Sequence, residues 1–521
     1  MQQATAVTRA PAGKWVIAGT VVLGSFVSVM DFSIVNVAMP EMVSTFGVSI
    51  DAITWVAVSY SIAEIILATM AAWFSRLLGR KRFFVLSFIL FTAASMLCGA
   101  ARSIEMMILA RILQGIGGGG LIPVSQAITL ETFPENERGM AMALYSMGVA
   151  VAPAVGPVLG GWLTDTYGWP WIFYINLPLG VLGICMSILV LTDPPYMQRQ
   201  RTRIDVTGII LLAVGLTALQ LFLERGEREQ WFESSFIVVT AVVALVTLTA
   251  LVVWELYAEE PVINFRLLKN VPFTAGLCLG AIFGFTLFGS FFVLALFLQR
   301  LQGHSVMNSG LFQMPRMLIV ILVTPLAGRL YNVIDNRLLI GCGLALMMLG
   351  YLDMAGFTLE VGLPQMLPSF LLTGAGMAFM FGPMSAIVMR TVPLPLLTAA
   401  ASLSTLWRRI GGNAGYAFVA MQIERRSAFH RARLVDHVTP YDVNTTRVLD
   451  GLTGRLAAGG GLPPGIAENS ALKLLDNMVT RQATMLAYND IFWLMGMVFV
   501  LGVPFLLLLG GRGQRTAAKQ A

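Results

Sequence analysis

Three ionisable residues stand inside long apolar runs, where a charge must have a reason to be. Asp31 falls in the run 15–38, Glu64 near the middle of 52–74, and Arg111 in 104–130. A carboxylate at the centre of a bilayer costs about 2.5–3.5 kcal/mol on insertion scales, so it is expected to face a bundle interior and to have a partner. Asp31 lies seven residues from the outer end of its run and Arg111 seven from the outer end of its own. At 1.5 Å per residue both sit about 10 Å below that surface. Equal depth permits a pair. Such a pair is either a static structural contact or a carboxylate that takes up and releases a proton, because burial disfavours its charged form and a nearby arginine favours it. Glu64 has no partner evident in the sequence. It is a second proton site, a contact for a cationic substrate, or a neutral acid hydrogen-bonded to a neighbouring helix.

Other interior residues read as a substrate cavity: Gln114 in RILQGIGGGG (111–120), Arg316 in MPRMLIV, and Trp407 and Arg408 in LWRRIGGNAG. Arg408 and Arg409 point about 100° apart on a helix. One of them is expected to line the cavity and the other to snorkel or pair. The run GVAVAPAVGPVLGG (148–161) carries Pro153, Gly156, Pro157, Gly160 and Gly161. Proline removes a backbone donor, and glycines four apart let a neighbouring helix approach closely. The run is therefore a hinge or a close-packing seam. RLLGRKR (76–82) is a basic turn, with Arg76, Gly79, Arg80 and Lys81 as candidates for a gate.

The elements that must hold these residues are membrane spans. The chain has 521 residues, 57% hydrophobic and 12% charged, with a mean hydropathy of +0.77. That composition belongs to a polytopic, all-α membrane protein. Apolar runs of spanning length occur at 15–38, 52–74, 83–101, 104–130, 139–162, 170–192, 206–223, 235–256, 272–299, 306–330, 338–358, 365–389, 397–421 and 490–510. The even number puts both termini on one side. Eighteen lysines and arginines fall on the tail side against four in the short loops opposite, which places both termini in the cytoplasm. The basic turns 76–82 and 328–337 follow spans two and ten, eight spans apart. Two six-span halves with an inserted pair explain that spacing. The expected layout is a tail 1–14, a first half 15–192, a linker and inserted spans 193–271, a second half 272–511, and a tail 512–521.

Several chemistries are absent. No G-x-x-x-x-G-K-[ST] loop occurs, so any energy coupling must come from an ion gradient. Cys98, Cys185, Cys278 and Cys342 lie in apolar runs and imply no disulfide framework. His304, His430 and His437 lack metal-ligand spacing. No metal, cofactor, enzyme activity or nucleic-acid partner is expected. The 29 methionines and 31 phenylalanines suit an adaptable apolar lining for bulky hydrophobic ligands.

Several stretches together resemble one family. GPVLGG resembles the antiporter motif of the major facilitator superfamily, with Ala152 at a usual glycine. VMDFSIVNVAMP (29–40), RILQGIGGG, GWPWIFYINLPLG (168–180), LERGEREQWF (223–232), ASLSTLWRRIGGNAG (401–415) and YNDIFW (488–493) resemble segments of fourteen-span drug:proton antiporters of the EmrB/QacA type, most of all the EmrB branch. The resemblance implies a major facilitator fold working by alternating access in a bacterial inner membrane. It implies export of hydrophobic toxic compounds in exchange for protons, with Asp31 as the coupling acid and Arg111 as the motif arginine. It also implies a periplasmic EmrA-like adaptor and an outer-membrane channel. An exporter of one metabolite or siderophore, or a non-transporting receptor or scaffold, are the alternatives. One motif departs: AWFSRLLGRK (72–81) has Ala72 for a glycine and Arg76 for the usual aspartate, so the acidic half of the cytoplasmic gate is missing.

The segment 424–488 is too polar to span. Its two ends, 423–438 and 467–487, are expected to form amphipathic helices, one continuing span thirteen and one returning to the membrane. They could cap the cavity mouth or dock an adaptor.

Overall fold

The computed structural model describes residues 13–194, 205–258, 260–460 and 463–509. The basic residues Arg9, Arg199, Arg201, Arg203, Arg512, Arg515 and Lys519, used above for topology, lie outside the described residues. The first half runs α1 (Lys14–Phe46), α2 (Ile50–Leu78), α3 (Arg80–Gly99), α4 (Ile104–Thr132), α5 (Arg138–Tyr167), α6 (Trp171–Tyr174) and α7 (Asn176–Val190). The inserted pair is α8 (Val206–Arg225) and α9 (Ser235–Tyr257). The second half runs α10 (Val271–Leu296), α11 (Val306–Leu330), α12 (Asn336–Met354), α13 (Leu363–Arg390) and α14 (Leu397–Val435), then α15 (Val443–Gly460), α16 (Pro464–Val498) and α17 (Gly502–Leu508). No strand occurs among the described residues. That follows from the solvent: hydrocarbon offers no partner to a free peptide group, and a helix satisfies its own. Side chains start several helices. Ser49 accepts from the Ala52 N–H at 3.2 Å, Ser103 from Met106 at 3.3 Å, and Ser305 from Asn308 at 3.2 Å.

Among the described residues, thirteen helices are long and apolar enough to cross a membrane, counting α6 with α7 and α16 with α17. The sequence predicts fourteen. The missing one is α14, which at 39 residues is long enough but the least hydrophobic of the long helices. Arg408 and Arg409 lie in its middle, and Arg425, Arg426, Arg431 and Arg433 in its outer part. It is nevertheless packed within the bundle against α2, α4 and α10. With α14 counted, the crossings number fourteen, and both ends of the described chain fall at one end of the bundle. Lys14 there pairs with Glu137 at 2.5 Å, Asn332 donates to the Asn136 carbonyl at 2.6 Å, and Arg337 to that of Leu509 at 2.5 Å.

The halves meet along α5, which packs on α1 within its own half and on α11 and α13 of the other. Arg390 at the end of α13 pairs with Glu135 at 3.2 Å on the chain-terminal side. At the opposite end, a Cβ on Gly161 would lie 3.3 Å from Met307. The halves thus touch at both ends of α5. The inserted α8 leans on α2 and α14 together: Gln220 donates to Ser61 at 2.9 Å and accepts from Asn413 at 2.5 Å.

The polar segment differs from expectation in one respect. α14 does continue past the membrane, and α16 does return, but a third helix, α15, lies between them. At 1.5 Å per residue α14 is about 58 Å long, nearly twice the hydrocarbon thickness of about 30 Å. The projecting parts of α14 and α16 are tied by His430 to Asp490 at 2.8 Å and Arg431 to Asp476 at 2.6 Å.

Candidate functional site

Close helix packing brings the ionisable residues together. Gly115 and Gly119 of α4 face α2, where an added Cβ would lie 2.5 Å from the carbonyls of Tyr60 and Glu64. Only glycine allows the α2 backbone so near, and that approach delivers Tyr60 and Glu64 to the interior beside Arg111.

Asp31 and Arg111 form the expected pair, Oδ2 to Nη1 at 2.6 Å, with both side chains wholly buried. The structure places Gln114, a cavity candidate in the sequence, within the Asp31–Arg111 network. It sits one turn beyond Arg111, accepts from Arg111 Nη1 at 2.7 Å and donates to Asp31 Oδ1 at 2.8 Å. Its place is inside the ion pair, because residues three apart share a helix face. Asn176 also donates to Asp31 Oδ1, at 2.8 Å, and is held by Ser95 at 3.0 Å. Arg111 Nε donates to the Val56 carbonyl at 3.1 Å. The carboxylate therefore accepts three hydrogen bonds in a fully desolvated site.

Glu64 has a partner that local sequence could not reveal. Arg409 of α14 crosses from the second half and donates to Glu64 Oε1 at 2.6 Å. The pairing member of the double arginine is thus Arg409. The two acids are linked. The Arg111 guanidinium lies over the Tyr60 ring at 4.1 Å, and the Tyr60 hydroxyl is 3.3 Å from Ser28 Oγ. Ser28 donates to Glu64 Oε1 at 3.2 Å. With the serine proton directed at Glu64, the Tyr60 hydroxyl has two acceptors on Ser28, its Oγ and its backbone carbonyl, each at 3.3 Å. Ser28 with Asp31, and Tyr60 with Glu64, stand three and four apart on their helices; that spacing was the available signal for Ser28 and Tyr60.

The remaining cavity candidates separate. Arg316 is buried in the second half, with Nη1 donating to Ser290 Oγ at 2.8 Å, Nη2 3.3 Å from Met377 Sδ, and the Phe291 ring at 5.1 Å. Arg408 lies 5.0 Å from the centre of the Phe381 ring. Met377 and Phe381 line a small cavity of about 10 Å³ between α5, α11 and α13, with Ser146, Ala150, Val320, Thr324 and Ala378. Trp407 is not among its lining residues; it is half-buried against the second-half core.

The proline-glycine run of α5 is one unbroken helix from Arg138 to Tyr167. It is a close-packing seam. A Cβ at Gly156 would collide with Ser33 of α1, and one at Gly160 would stand 2.8 Å from Ile34. Pro157 in turn lies 3.5 Å from where a Cβ on Gly310 of α11 would be.

The basic turn regains the acids its motif lacks. Gly79, at φ +87°, makes the sharp reversal from α2 to α3. Arg80 pairs with Glu131 at the end of α4. The Lys81 N–H donates to Asp193 Oδ1 at 2.7 Å, and Lys81 Nζ to the Ile188 carbonyl at 2.6 Å. Arg76, at the usual aspartate position, donates to the Pro261 carbonyl at 2.9 Å. It thereby ties α2 to the connector that follows the inserted pair.

A family model described as Major Facilitator Superfamily matches residues 21–416. The chain belongs to that superfamily. Within it the chain falls with EmrB-type proteins. It is 33% identical to the multidrug export protein EmrB of Escherichia coli K12 over 503 residues, 94% of this chain and 96% of that one. It is 31% identical to the fatty acid resistance protein FarB of Neisseria gonorrhoeae, over 93% of this chain and 94% of that one. Among solved structures, the proton:xylose symporter XylE has a TM-score of 0.57 at 14% identity, covering 96% of each chain. The human organic anion transporter MFSD10 has 0.55 at 15% identity, covering 94% of this chain and 100% of that one. These two likenesses concern the fold. The major facilitator fold, two six-helix halves plus an inserted pair, is thus reached from sequence, packing and relatives alike.

Proposed function

We propose that this multi-pass membrane protein is a multidrug exporter that expels hydrophobic toxic compounds by alternating access, driven by proton exchange at Asp31. The observation that carries the reading is the buried path from Asp31–Arg111 through Tyr60 and Ser28 to Glu64–Arg409, which spans the seam between the halves. Protonation of Asp31 removes the charge that holds Arg111 and Gln114. Arg111 then loosens on the Tyr60 ring, and Tyr60 and Ser28 shift their hydrogen bonds at Glu64. The Glu64–Arg409 pair, one of the contacts between the halves, weakens as a result. A local proton event thus biases a global equilibrium, as a two-state carrier requires. Export of multiple drugs accords with the names of the EmrB relatives, multidrug export proteins.

The same reading puts both termini in the cytoplasm of a bacterial inner membrane, with halves near 15–192 and 272–511. The turn around Arg76, Gly79, Arg80 and Lys81 is then the cytoplasmic gate, and the α5 seam its pivot. The projecting α14–α15–α16 unit is then periplasmic and is the largest surface for an EmrA-like adaptor that leads to an outer-membrane channel. The test of function is drug accumulation in a pump-deleted host. Cells expressing the protein should accumulate less of a panel of hydrophobic toxic compounds, and collapse of the proton gradient should restore accumulation. Equal accumulation with and without the protein would refute the reading.

A further inference from the structure

The bundle interior holds more buried positive than negative charge. Arg111 has Asp31, and Arg409 has Glu64. Arg316 is 0% exposed and Arg408 is 7% exposed, and among the described residues neither has a carboxylate partner. An unpaired buried guanidinium is expensive. Packing alone would be served better by leucine or methionine.

Both cations touch one face of α13. Arg316 rests on Met377 and Arg408 on Phe381, residues four apart on one face of α13. Met377 and Phe381 are also walls of the small cavity between the halves. Donors around it are unspent: Ser146 Oγ on a cavity wall and Arg316 Nε both lack a hydrogen-bond partner within the protein. Of the other walls, Ala150, Val320 and Ala378 are apolar and Thr324 carries a hydroxyl. Two cations and free donors beside an apolar wall match an anionic head on an apolar body.

We propose that Arg316 and Arg408 form a subsite for the anionic group, a carboxylate or similar monoanion, of an amphipathic substrate. The inference rests on the reading of the chain as an exporter and narrows its substrates to include hydrophobic anions. At about 10 Å³ the cavity has room for about one water, so the anion enters only after α5 parts from α11 and α13.

The test uses the full chain in phosphatidylcholine nanodiscs and three ten-carbon probes: decanoate, decylammonium and decanol. The readout is the ratio of decanoate to decanol affinity. The wild type should favour decanoate about tenfold or more and should not favour decylammonium. R316Q and R408Q should each bring the ratio close to one, while R316K keeps most of it; should R316Q fail to fold, R408Q and R316K carry the test. A wild-type ratio near one, or a ratio unchanged in R408Q, overturns the proposal. Phosphatidylglycerol added to the discs distinguishes the source of the anion. If it displaces decanoate, the site takes a lipid headgroup and the substrate assignment falls; no displacement supports it. Proton movement measured with the same protein in liposomes keeps the two readings separable. Charge preference without proton movement sinks only the proton-driven mechanism, and proton movement without charge preference sinks only the subsite.

Discussion

Arg409 of α14 reaches from the second half into the first and holds Glu64 of α2 at 2.6 Å, with both side chains almost fully buried. The pair is a lock between halves at mid-depth, beside the Asp31 network and joined to it by Tyr60 and Ser28. Breaking a buried pair by removing one partner strands the other charge and costs about 3–5 kcal/mol. E64Q and R409Q should therefore each lower the thermal unfolding temperature, and the double variant should recover much of the loss. Singles that melt like the wild type would show that the contact holds nothing together.

The α5 seam predicts a size-dependent defect. Gly156→Ala places a methyl group against Ser33 of α1, and overpacking of this kind costs about 1–3 kcal/mol. Removing the hydroxyl with Ser33→Ala should restore part of the stability and of the transport rate. If Gly156→Ala transports and melts as the wild type does, the seam is looser than described and the pivot role falls with it.

Much of this was legible in the chain. The apolar runs marked nearly every span, and equal depth paired Asp31 with Arg111 correctly. What escaped was long-range. Glu64 and Arg409 are 345 positions apart, and no local periodicity joins them. Gln114 was seen as polar and interior, but its assignment depended on the Asp31–Arg111 contact already being made. Arg76 reads as the loss of a gate acid, whereas Glu131 at the end of α4 and Asp193 in the stretch after α7 serve Arg80 and Lys81. α15 is obscured by Gly451, Gly454, Gly459 and Gly460, which read as loop although Val448, Leu452 and Leu456 recur at helical spacing.

The projecting unit offers a separable test of partnership. Replacing residues 440–466 with a short Gly-Ser linker removes α15 while leaving α14 and most of α16. Loss of cross-linking to an adaptor, with drug transport kept in vesicles, is the expected outcome. Unchanged cross-linking would remove the docking role from α15, and lost transport would assign it to gating or folding.

α15 also carries a pH dependence. Asp442 caps it, accepting from the Thr445 N–H at 3.0 Å and the Thr445 hydroxyl at 2.9 Å. These bonds, the backbone one first, hold the carboxyl below its ordinary value of 3.8. A depressed value means that the cap contributes stability above pH 3.8 and loses it as pH falls through the lower folded-state value. Amide exchange of 443–447 should speed up as the pH drops below that point, beyond the intrinsic trend, and D442A should show the faster exchange already at neutral pH. Exchange indifferent to D442A would mean the cap does no work.

The central claim is that Asp31 exchanges the proton that drives export. Its most direct measurement is proton movement in liposomes containing Asp31→Asn, which keeps the side chain's size and its ability to hydrogen-bond Asn176 but cannot ionise. The account predicts an inserted, folded protein that still binds substrate yet moves no protons when substrate is added, with proton-driven efflux lost. Substrate-induced proton movement at the wild-type rate in that variant would contradict it.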